Sequence, residues 1–258
     1  MSIPVESNEA TQPASVRVAF PGPEQRLEQD DEWCVVRQNG SWREIRFHDY
    51  ASVYQIPGLY EYLFGDLLKC DSPQRVCSLL EQELRADRVN PRELSVLDLG
   101  AGNGMMGERL SDLGARHIVG VDIIRQAAEA AERDRPGAYE QYHVCDMAKL
   151  QPAEQSALEA LGLNCLTCIA ALGFGDIPPE AFVEAYNLIA PGGWVAFNLK
   201  ADFLTGGQSP FGNLILRMRS EGALSIRAEQ RYRHRLATNG EPIYYVAIVG
   251  RKARDFEL

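Results

Sequence analysis

A glycine-rich segment and two aspartates occupy positions where they could together bind a nucleoside. Residues 100–104 carry glycine at every second position and directly follow the apolar run at residues 94–99. Glycine lacks a Cβ atom, so a ligand can approach the backbone there, and a following helix would present free N–H groups. Asp122 ends the next apolar run about twenty residues later, where a carboxylate can accept hydrogen bonds from two ribose hydroxyls. Asp146 follows a third such run, so three successive strand ends predict a nucleoside site.

Each of these features also has a structural interpretation. Asp122 could cap the helix after its strand, although we favour the ribose role, and Asp146 could be a turn residue. Residues 191–193, which read Pro-Gly-Gly, are better explained as a turn than as a ligand contact. The dinucleotide fingerprint requires glycine three positions after Gly102, where Met105 stands, so the spacing disfavours a nicotinamide-dependent oxidoreductase.

In combination, the motifs resemble those of class I S-adenosylmethionine-dependent methyltransferases, and the resemblance covers roughly residues 48–252. The pattern at residues 48–50 and 168–178 looks closest to small methyltransferases similar to the Williams–Beuren-region methyltransferase-like proteins. The matching segments are residues 96–104, 120–122, 145–146, 171–174 and 188–195.

The resemblance implies S-adenosylmethionine as the cofactor, with no metal, and it assigns roles to individual residues. The glycine-rich loop should lie against the methionine part of the cofactor. Asp98 should help to order the amino group of that part. Asp122 should bind the ribose hydroxyls, and Asp146 with the backbone of the next residue should bind the adenine amino edge. The residues implied in cofactor binding are Tyr54, Asp98, Gly100, Ala101, Gly102, Asn103, Gly104, Asp122, Ile123, Asp146, Met147, Ala171 and Leu172, of which the last two should form the floor near the sulfonium.

The methyl acceptor is constrained only in part. Enzymes of this fold that methylate amino groups of DNA bases or protein glutamine carry Asp/Asn-Pro-Pro-Tyr/Phe after the fourth strand. Residues 171–174 read Ala-Leu-Gly-Phe here, which disfavours that acceptor class. Among the remaining acceptors we favour an oxygen or nitrogen atom of a small molecule. A protein or RNA methyltransferase and a non-catalytic S-adenosylmethionine-binding protein remain as alternatives.

Several polar side chains flank the cofactor motifs and could act on the acceptor. His48 could be a general base because imidazole titrates near neutral pH, and Tyr50 could contact the acceptor. Packing within the segment before the first strand explains both residues equally well. Lys200 and Asp202 follow the fifth strand and are further candidates, and residues 206–207 could belong to a gating loop.

The elements that position these residues alternate between strand and helix. Apolar strands in that arrangement predict a Rossmann-like, seven-stranded, mostly parallel sheet with helices on both faces. The row of arginines at residues 227–235 alternates with apolar side chains, which is typical of a charged edge strand and makes a binding patch the minority interpretation. The predicted strands are residues 94–99, 118–121, 139–144, 165–172 and 194–199, followed by an antiparallel hairpin of residues 225–235 and 243–249.

Three regions of the chain differ in composition. Residues 1–30 are rich in polar residues and proline and should form a flexible tail. Residues 31–90 should form a β-hairpin, turning at Asn39-Gly40, and a helical lid. Residues 91–258 should form the S-adenosylmethionine-binding methyltransferase domain.

Charge and cysteine usage limit the partners and the compartment. The chain has 258 residues and a net charge of −10, although residues 217–254, with nine basic and three acidic side chains, are locally basic. Nucleic acids and anionic membranes repel such an acidic chain, so we do not expect it to bind either of them. The six cysteines lack the spacing of a zinc site, and no leader segment is apparent, so we expect a cytoplasmic protein. Its partner should be a small-molecule acceptor, and a homodimer is left open.

Overall fold

The computed structural model describes residues 16–38, 40–205 and 209–258, which divide into two compact units. The first unit is Met1–Asp71 with Arg233–Tyr244, and the second is Ser72–Tyr232 with Tyr245–Leu258. Residues 1–15 of the predicted tail, Asn39 of the predicted hairpin turn and the predicted gating glycines lie outside the described residues.

The first unit contains a three-stranded antiparallel sheet in the order β1-β2-β3. The predicted hairpin corresponds to β2 (Trp33–Gln38) and β3 (Ser41–Arg46), while β1 (Arg17–Ala19) comes from the segment that composition places in the tail. The sheet is followed by α1 (Tyr50–Tyr54) and a π-helix (Glu61–Leu67). These elements share an apolar core of their own, so the first unit is more than an appended hairpin.

The second unit is built on a seven-stranded sheet in the order β6-β5-β4-β7-β8-β10-β9. The strands from β4 to β8 pair in parallel, and β10 pairs with β8 in antiparallel orientation. This confirms the predicted fold class with its C-terminal hairpin. The strands are β4 (Ser95–Leu99), β5 (His117–Asp122), β6 (Gln141–Val144), β7 (Cys165–Cys168), β8 (Trp194–Lys200), β9 (Leu224–Leu236) and β10 (Pro242–Lys252).

The helices of the second unit begin and end at residues that the sequence marks. Gly104 precedes α3 and Gly114 follows it, both with positive φ, and the N–H of Gly114 donates to the carbonyl of Leu110. The side chain of Ser209 caps α8, in which Pro210 is the first residue. The helices are α2 (Ser72–Ala86), α3 (Met105–Leu113), α4 (Arg125–Asp134), α5 (Pro152–Glu159), α6 (Pro179–Asn187), α7 (Ala201–Thr205) and α8 (Pro210–Ser220), with short 3-10 turns at Pro91–Glu93 and Met147–Lys149.

Several predicted strand boundaries were wrong, among them the end of β7, the start of β6 and the end of β10, which runs to Lys252. The strand β7 ends at Cys168 rather than at residue 172, because Ala170 adopts a left-handed conformation with φ +57° and leaves the ladder. The strand β6 begins at Gln141 rather than at residue 139. The end of β7 lies at the edge of the sheet where the glycine-rich segment is found, so local interactions there override strand propensity.

The edge position of β9 confirms the interpretation of the arginine row. Arg227 pairs with Asp87 at 2.8 Å and with Glu83 at 3.5 Å on the surface of the second unit. Arg235 departs from the predicted solvated row, because it is buried in the first unit, where it forms an ion pair with Glu32. A buried guanidinium requires such a partner, which an alternation pattern does not reveal.

None of the described helices is long and apolar enough to cross a membrane. All six cysteines are free. Cys165 and Cys168, the closely spaced pair, are fully buried in β7, and burial raises the pKa of both thiols. They are core side chains, as the apolar surroundings in the sequence indicate.

Candidate functional site

The sequence-predicted cofactor residues of the second unit lie mainly at the carboxyl ends of its parallel strands. The strand β4 lies between β5 and β7. The next two strands in the chain, β5 and β6, lie on one side of β4, and β7 and β8 lie on the other side, so the strand order reverses at β4. A crevice opens outside the strand ends at such a switch point, where ligands of parallel sheets bind. The loop of residues 100–104 follows β4, Asp122 ends β5, and residues 169–172 follow β7.

Asp98 is a buried carboxylate near the end of β4. Its Oδ1 accepts a hydrogen bond from Thr167 Oγ1 at 2.6 Å, and its Oδ2 accepts one from Tyr139 Oη at 2.6 Å. Burial raises the pKa of Asp98 to about 6, although these two hydrogen bonds act in the opposite direction. The carboxylate therefore joins β4 to β7 and to the segment before β6, in addition to any role in ordering a ligand.

The loop of residues 100–104 requires glycine for both backbone conformation and space. Gly100, Gly102 and Gly104 have φ values of +69°, +54° and +89°, which residues with a Cβ atom rarely adopt. A Cβ atom on Gly100 would lie 2.9 Å from Ile177 Cδ1 and 3.0 Å from Ala171 Cβ. The loop after β4 therefore packs directly against the segment after β7.

Three side chains that sequence reasoning missed hold this loop from the segment before β6 and from β6 itself. The carbonyl of Gly102 accepts a hydrogen bond from Tyr142 Oη at 2.8 Å, and that of Asn103 accepts one from Arg135 at 3.1 Å. The hydroxyl of Tyr139 is shared between Asp98 and the carbonyl of residue 101, at 3.2 Å from the latter. Two tyrosines at the start of a predicted strand were the available signal, but strand propensity explains tyrosines equally well.

Asp122 is bonded to the glycine-rich loop through its side chain. Its Oδ2 accepts a hydrogen bond from the N–H of Gly102 at 2.9 Å, and its Oδ1 accepts one from the N–H of Ile124 at 2.9 Å. Burial raises the pKa of Asp122, and these N–H donors act against that shift. The residue before α4 is Ile124, so Asp122 is an acceptor of the strand-to-helix turn and not the helix cap. A carboxylate has about four acceptor sites, and the N–H donors of Gly102, Ile123 and Ile124 leave part of that capacity for the ribose.

The residues expected around the adenine differ in exposure. Ile123 is 61% exposed, which is unusual for a large apolar side chain, while Met147 is buried. Asp146 accepts a hydrogen bond from the N–H of Ala148 at 3.0 Å and lies 3.7 Å from the ammonium of Lys149. Asp146 therefore caps the 3-10 turn, as the alternative interpretation holds, and its adenine contact stays a prediction.

The expected floor of the site follows β7. Leu172 is buried and pairs with Ile177 in an isolated bridge, and Ala171 packs beside the core of the second unit. The preceding residue, Ala170, donates its N–H to Asn198 Oδ1 at 2.7 Å. A sequence pattern shows neither the left-handed alanine nor the amide that holds it.

The remaining candidates fall into two groups. In the first unit, the rings of His48 and Tyr50 lie 5.7 Å apart, and Tyr50 and Tyr54 are stacked at 6.1 Å. These three residues are thus neighbours, and their part in binding or catalysis stays a prediction. In the second unit, Lys200 lies at the end of β8 and Asp202 in the short helix after it.

Lys200 is half-buried and faces two aromatic rings. Its ammonium lies 5.9 Å from the ring centroid of Phe174 and 5.9 Å from that of Phe203, and the two rings are 5.1 Å apart. Within residues 16–38, 40–205 and 209–258, Lys200 has no carboxylate at ion-pair distance. This combination places one cation and two apolar faces at the carboxyl ends of β7 and β8.

Comparisons with known proteins agree with this geometry. Residues 97–197 match a family model described as a methyltransferase domain, and no curated protein matches the chain. The N-methyltransferase NodS from Bradyrhizobium japonicum, solved with S-adenosyl-L-homocysteine, has a TM-score of 0.55 at 14% identity, over 80% of this chain and 97% of its own. An S-adenosylmethionine-dependent methyltransferase from Anabaena variabilis has a TM-score of 0.52 at 15% identity, over 81% and 96%. A proposed RNA methyltransferase from Pyrococcus horikoshii has a TM-score of 0.52 at 14% identity, over 71% and 86%.

At these identities the solved structures establish a shared fold, and the family match lies on the segment that carries the glycine-rich loop and Asp122. Residues 97–197 thus match the methyltransferase-domain family, and the chain shares its fold with S-adenosylmethionine-dependent methyltransferases of known structure.

Proposed function

We propose that this enzyme transfers the methyl group of S-adenosylmethionine to an oxygen or nitrogen atom of a small molecule. The observation that carries the proposal is the cluster of Lys200, Phe174 and Phe203 at the carboxyl ends of β7 and β8. Sites for small ligands are lined mainly by apolar and aromatic side chains and contain a few polar groups that orient the ligand. This cluster has that composition and lies at the edge of the sheet where the acceptor is expected.

The residues of the second unit fit the cofactor. The remaining acceptor capacity of Asp122 suits hydrogen bonds from the ribose, and the exposed side chain of Ile123 offers an apolar surface for the adenine ring. Residues 100–104 provide backbone without Cβ atoms at three positions, which suits the close approach of the methionine part. In this proposal Ala171 and Leu172 lie beneath the sulfonium.

When bound, S-adenosylmethionine supplies an electrophilic methyl group on a positively charged sulfur. The protein then has to hold the acceptor in line, exclude water and, for a poor nucleophile, accept a proton. Proton acceptance by His48, acceptor contact by Tyr50 and cofactor contact by Tyr54 stay predictions from the sequence. The tyrosines belong to a continuous set of rings in the first unit, since Tyr54 also stacks on Tyr60 at 5.2 Å.

The alternative of an RNA methyltransferase receives less support from the surface charge. The arginine row would be the natural contact for phosphates, but Arg227 is already neutralised by Glu83 and Asp87, and Arg235 is buried with Glu32. Together with the net charge of −10, these two pairs reduce the field that would attract RNA. The closer resemblance to the Williams–Beuren-region proteins, the cytoplasmic location and a homodimer stay predictions.

The test uses S-adenosylmethionine labelled in its methyl group, with the purified chain and a cell extract divided into small molecules, RNA and protein. We expect label to enter the small-molecule fraction, and Asp122→Ala is the variant that should abolish transfer. Label in RNA or protein would contradict the acceptor class. Cofactor binding by calorimetry without any label transfer would support the non-catalytic alternative.

A second arm tests the cluster that carries the proposal. Lys200→Met removes the ammonium and keeps an apolar chain of similar length, so transfer should fall about tenfold or more while cofactor affinity stays within about twofold. Lys69→Met, at an exposed lysine of the first unit, is the matched control and should leave transfer unchanged. Equal transfer by the Lys200 and Lys69 variants would remove the support for this acceptor site.

A further inference from the structure

Asn198 is a fully buried polar residue in β8 whose side chain is bonded at both ends. Its Oδ1 accepts the N–H of Ala170 at 2.7 Å, and its Nδ2 donates to Tyr232 Oη at 2.7 Å. A backbone N–H can only donate, so the oxygen of the amide must face Ala170. The orientation of Asn198 is therefore fixed by its partners.

The network continues from Tyr232 to the start of α2. Tyr232 Oη lies 2.7 Å from Ser72 Oγ, and Ser72 is fully buried. Because Asn198 already donates to the tyrosine oxygen, the tyrosine proton is available for Ser72. A chain of buried hydrogen bonds thus connects Ser72, Tyr232 and Asn198 with the backbone of residue 170. Buried networks in which each of these groups is paired hold a local structure in one arrangement.

Ala170 is the residue on which this network acts. Its φ of +57° is unfavourable for a residue with a Cβ atom, so the hydrogen bond from its N–H to Asn198 offsets a real conformational cost. The turn at Ala170 determines the position of Ala171, whose Cβ lies 3.0 Å from the place that a Cβ on Gly100 would occupy. The network therefore sets the spacing between the loop after β7 and the loop after β4.

We infer that Asn198 is a positioning residue for the methionine end of S-adenosylmethionine, acting through the turn at Ala170 and the contact of Ala171 with Gly100. The inference rests on the proposed placement of the cofactor, in which the glycine-rich loop backs the methionine part and the adenosine part lies at the ends of β5 and β6. Asn198 touches neither part, so its effect should fall on one end of the cofactor.

The test compares two ligands by calorimetry with the full chain. Asn198→Ala should weaken the binding of S-adenosylmethionine about tenfold and change the binding of adenosine less than about twofold, since adenosine lacks the methionine part. Asn164→Ala is the matched control. Asn164 is also bonded at both ends, to the N–H of Ser95 at 2.9 Å and to the carbonyl of Glu93 at 2.8 Å, but it lies at the opposite end of β7. It should leave the ratio of the two affinities unchanged.

A second substitution, of Ala170 by glycine, distinguishes a positioning role of Asn198 from a purely structural one. Glycine adopts positive φ without the Cβ penalty, so Ala170→Gly combined with Asn198→Ala should recover most of the lost affinity for S-adenosylmethionine. Equal weakening of both ligands by Asn198→Ala, or failure of the rescue, would overturn the inference. If Asn198→Ala does not fold, Tyr232→Phe decides instead, because it removes the hydroxyl that holds Nδ2. A selective loss would then support the inference and an unchanged ratio would overturn it.

The proposed function fails by a different result. Failure of the unaltered chain to bind S-adenosylmethionine at millimolar concentration would remove the cofactor site itself. Binding by the unaltered chain with no selective effect at Asn198 would leave the cofactor site intact and remove only the positioning role.

Discussion

The loops after β4 and after β7 both contain left-handed backbone, but they obtain it in different ways. After β4, glycines occupy the positions with positive φ, including Gly100 and Gly104. After β7, the position is held by Ala170, and a buried amide from β8 stabilises it. One loop is thus specified by residue type and the other by a tertiary hydrogen bond, which is why only the first is visible in the sequence.

The two loops are also joined beneath the surface by a single carboxylate. Asp98 of β4 accepts a hydrogen bond from Thr167 of β7, and Tyr139 connects the same carboxylate to the backbone of the loop after β4. A change in one loop can therefore reach the other through Asp98 or through the contact of Gly100 with Ala171. Substitutions that act on one loop, the other or their connection separate these contributions.

The largest effect is expected at the contact between the loops. Gly100→Ala places a Cβ at positive φ and within 3.0 Å of two side chains, so the free energy of unfolding should fall by about 4 kcal/mol. Gly162→Ala is the control, because φ there is +60° but nothing lies within 4 Å of the added Cβ. It should cost about 1–2 kcal/mol. Urea denaturation of both variants measures the difference, and equal losses would show that the loops are not tightly packed.

This contrast also describes how much could be predicted from the sequence. The order of strands and helices, the glycine-rich loop and the charged edge strand follow from apolar periodicity and from glycine spacing, which are local signals. The early end of β7 and the support of the loop by Tyr142 and Arg135 depend on residues that are distant in sequence. Because the same residue types suit ordinary strands and surfaces, no local pattern distinguishes their role.

Asp122 and Arg235 show the same limit in a different form. The sequence offered two roles for the Asp122 carboxylate, and the structure adds a third, in which it holds the N–H of Gly102. Arg235 belongs to an alternating row that predicts exposure, yet Glu32, far away in the chain, makes its burial favourable. Charge patterns identify which side chains can pair, and only the fold determines which do.

The second largest effect concerns pH and the carboxylate that connects the loops. Asp98 has a pKa of about 6 in the folded protein against 3.8 for an ordinary aspartate, so the folded state holds its proton longer as pH rises. The free energy of unfolding should therefore fall as pH increases from about 4 to about 6, by about 3 kcal/mol from this group.

Asp98→Asn lacks this titration. The other carboxyl groups titrate in both proteins, so the difference between the two stability curves from pH 4 to pH 7 isolates Asp98. The curve of the variant should be flatter in that window, and parallel curves would show that the carboxylate is not perturbed. Urea denaturation at each pH gives both curves.

The third effect tests the loop after β4 alone. Asp122→Asn keeps one oxygen acceptor but replaces the other oxygen with an amide donor, so either Gly102 or Ile124 loses its partner. Affinity for S-adenosylmethionine should fall about 30-fold, equivalent to about 2 kcal/mol. Asp87→Asn, at a surface ion pair with Arg227, is the control and should bind the cofactor as the unaltered chain does. Calorimetry measures both, and equal affinities would exclude Asp122 from the cofactor site.

The smallest effect separates support of the loop from support of the carboxylate. Tyr142→Phe removes only the hydrogen bond to the carbonyl of Gly102, so affinity for S-adenosylmethionine should fall about fivefold, equivalent to about 1 kcal/mol. Tyr139→Phe removes a similar contact with the loop and also a donor to Asp98. Since that donor lowers the pKa of Asp98, its loss should move the pH window of stability upward, whereas Tyr142→Phe should leave the window in place. A shift in both variants would mean that the loop after β4 and Asp98 respond as one unit, so support of the loop would not be separable from support of the carboxylate.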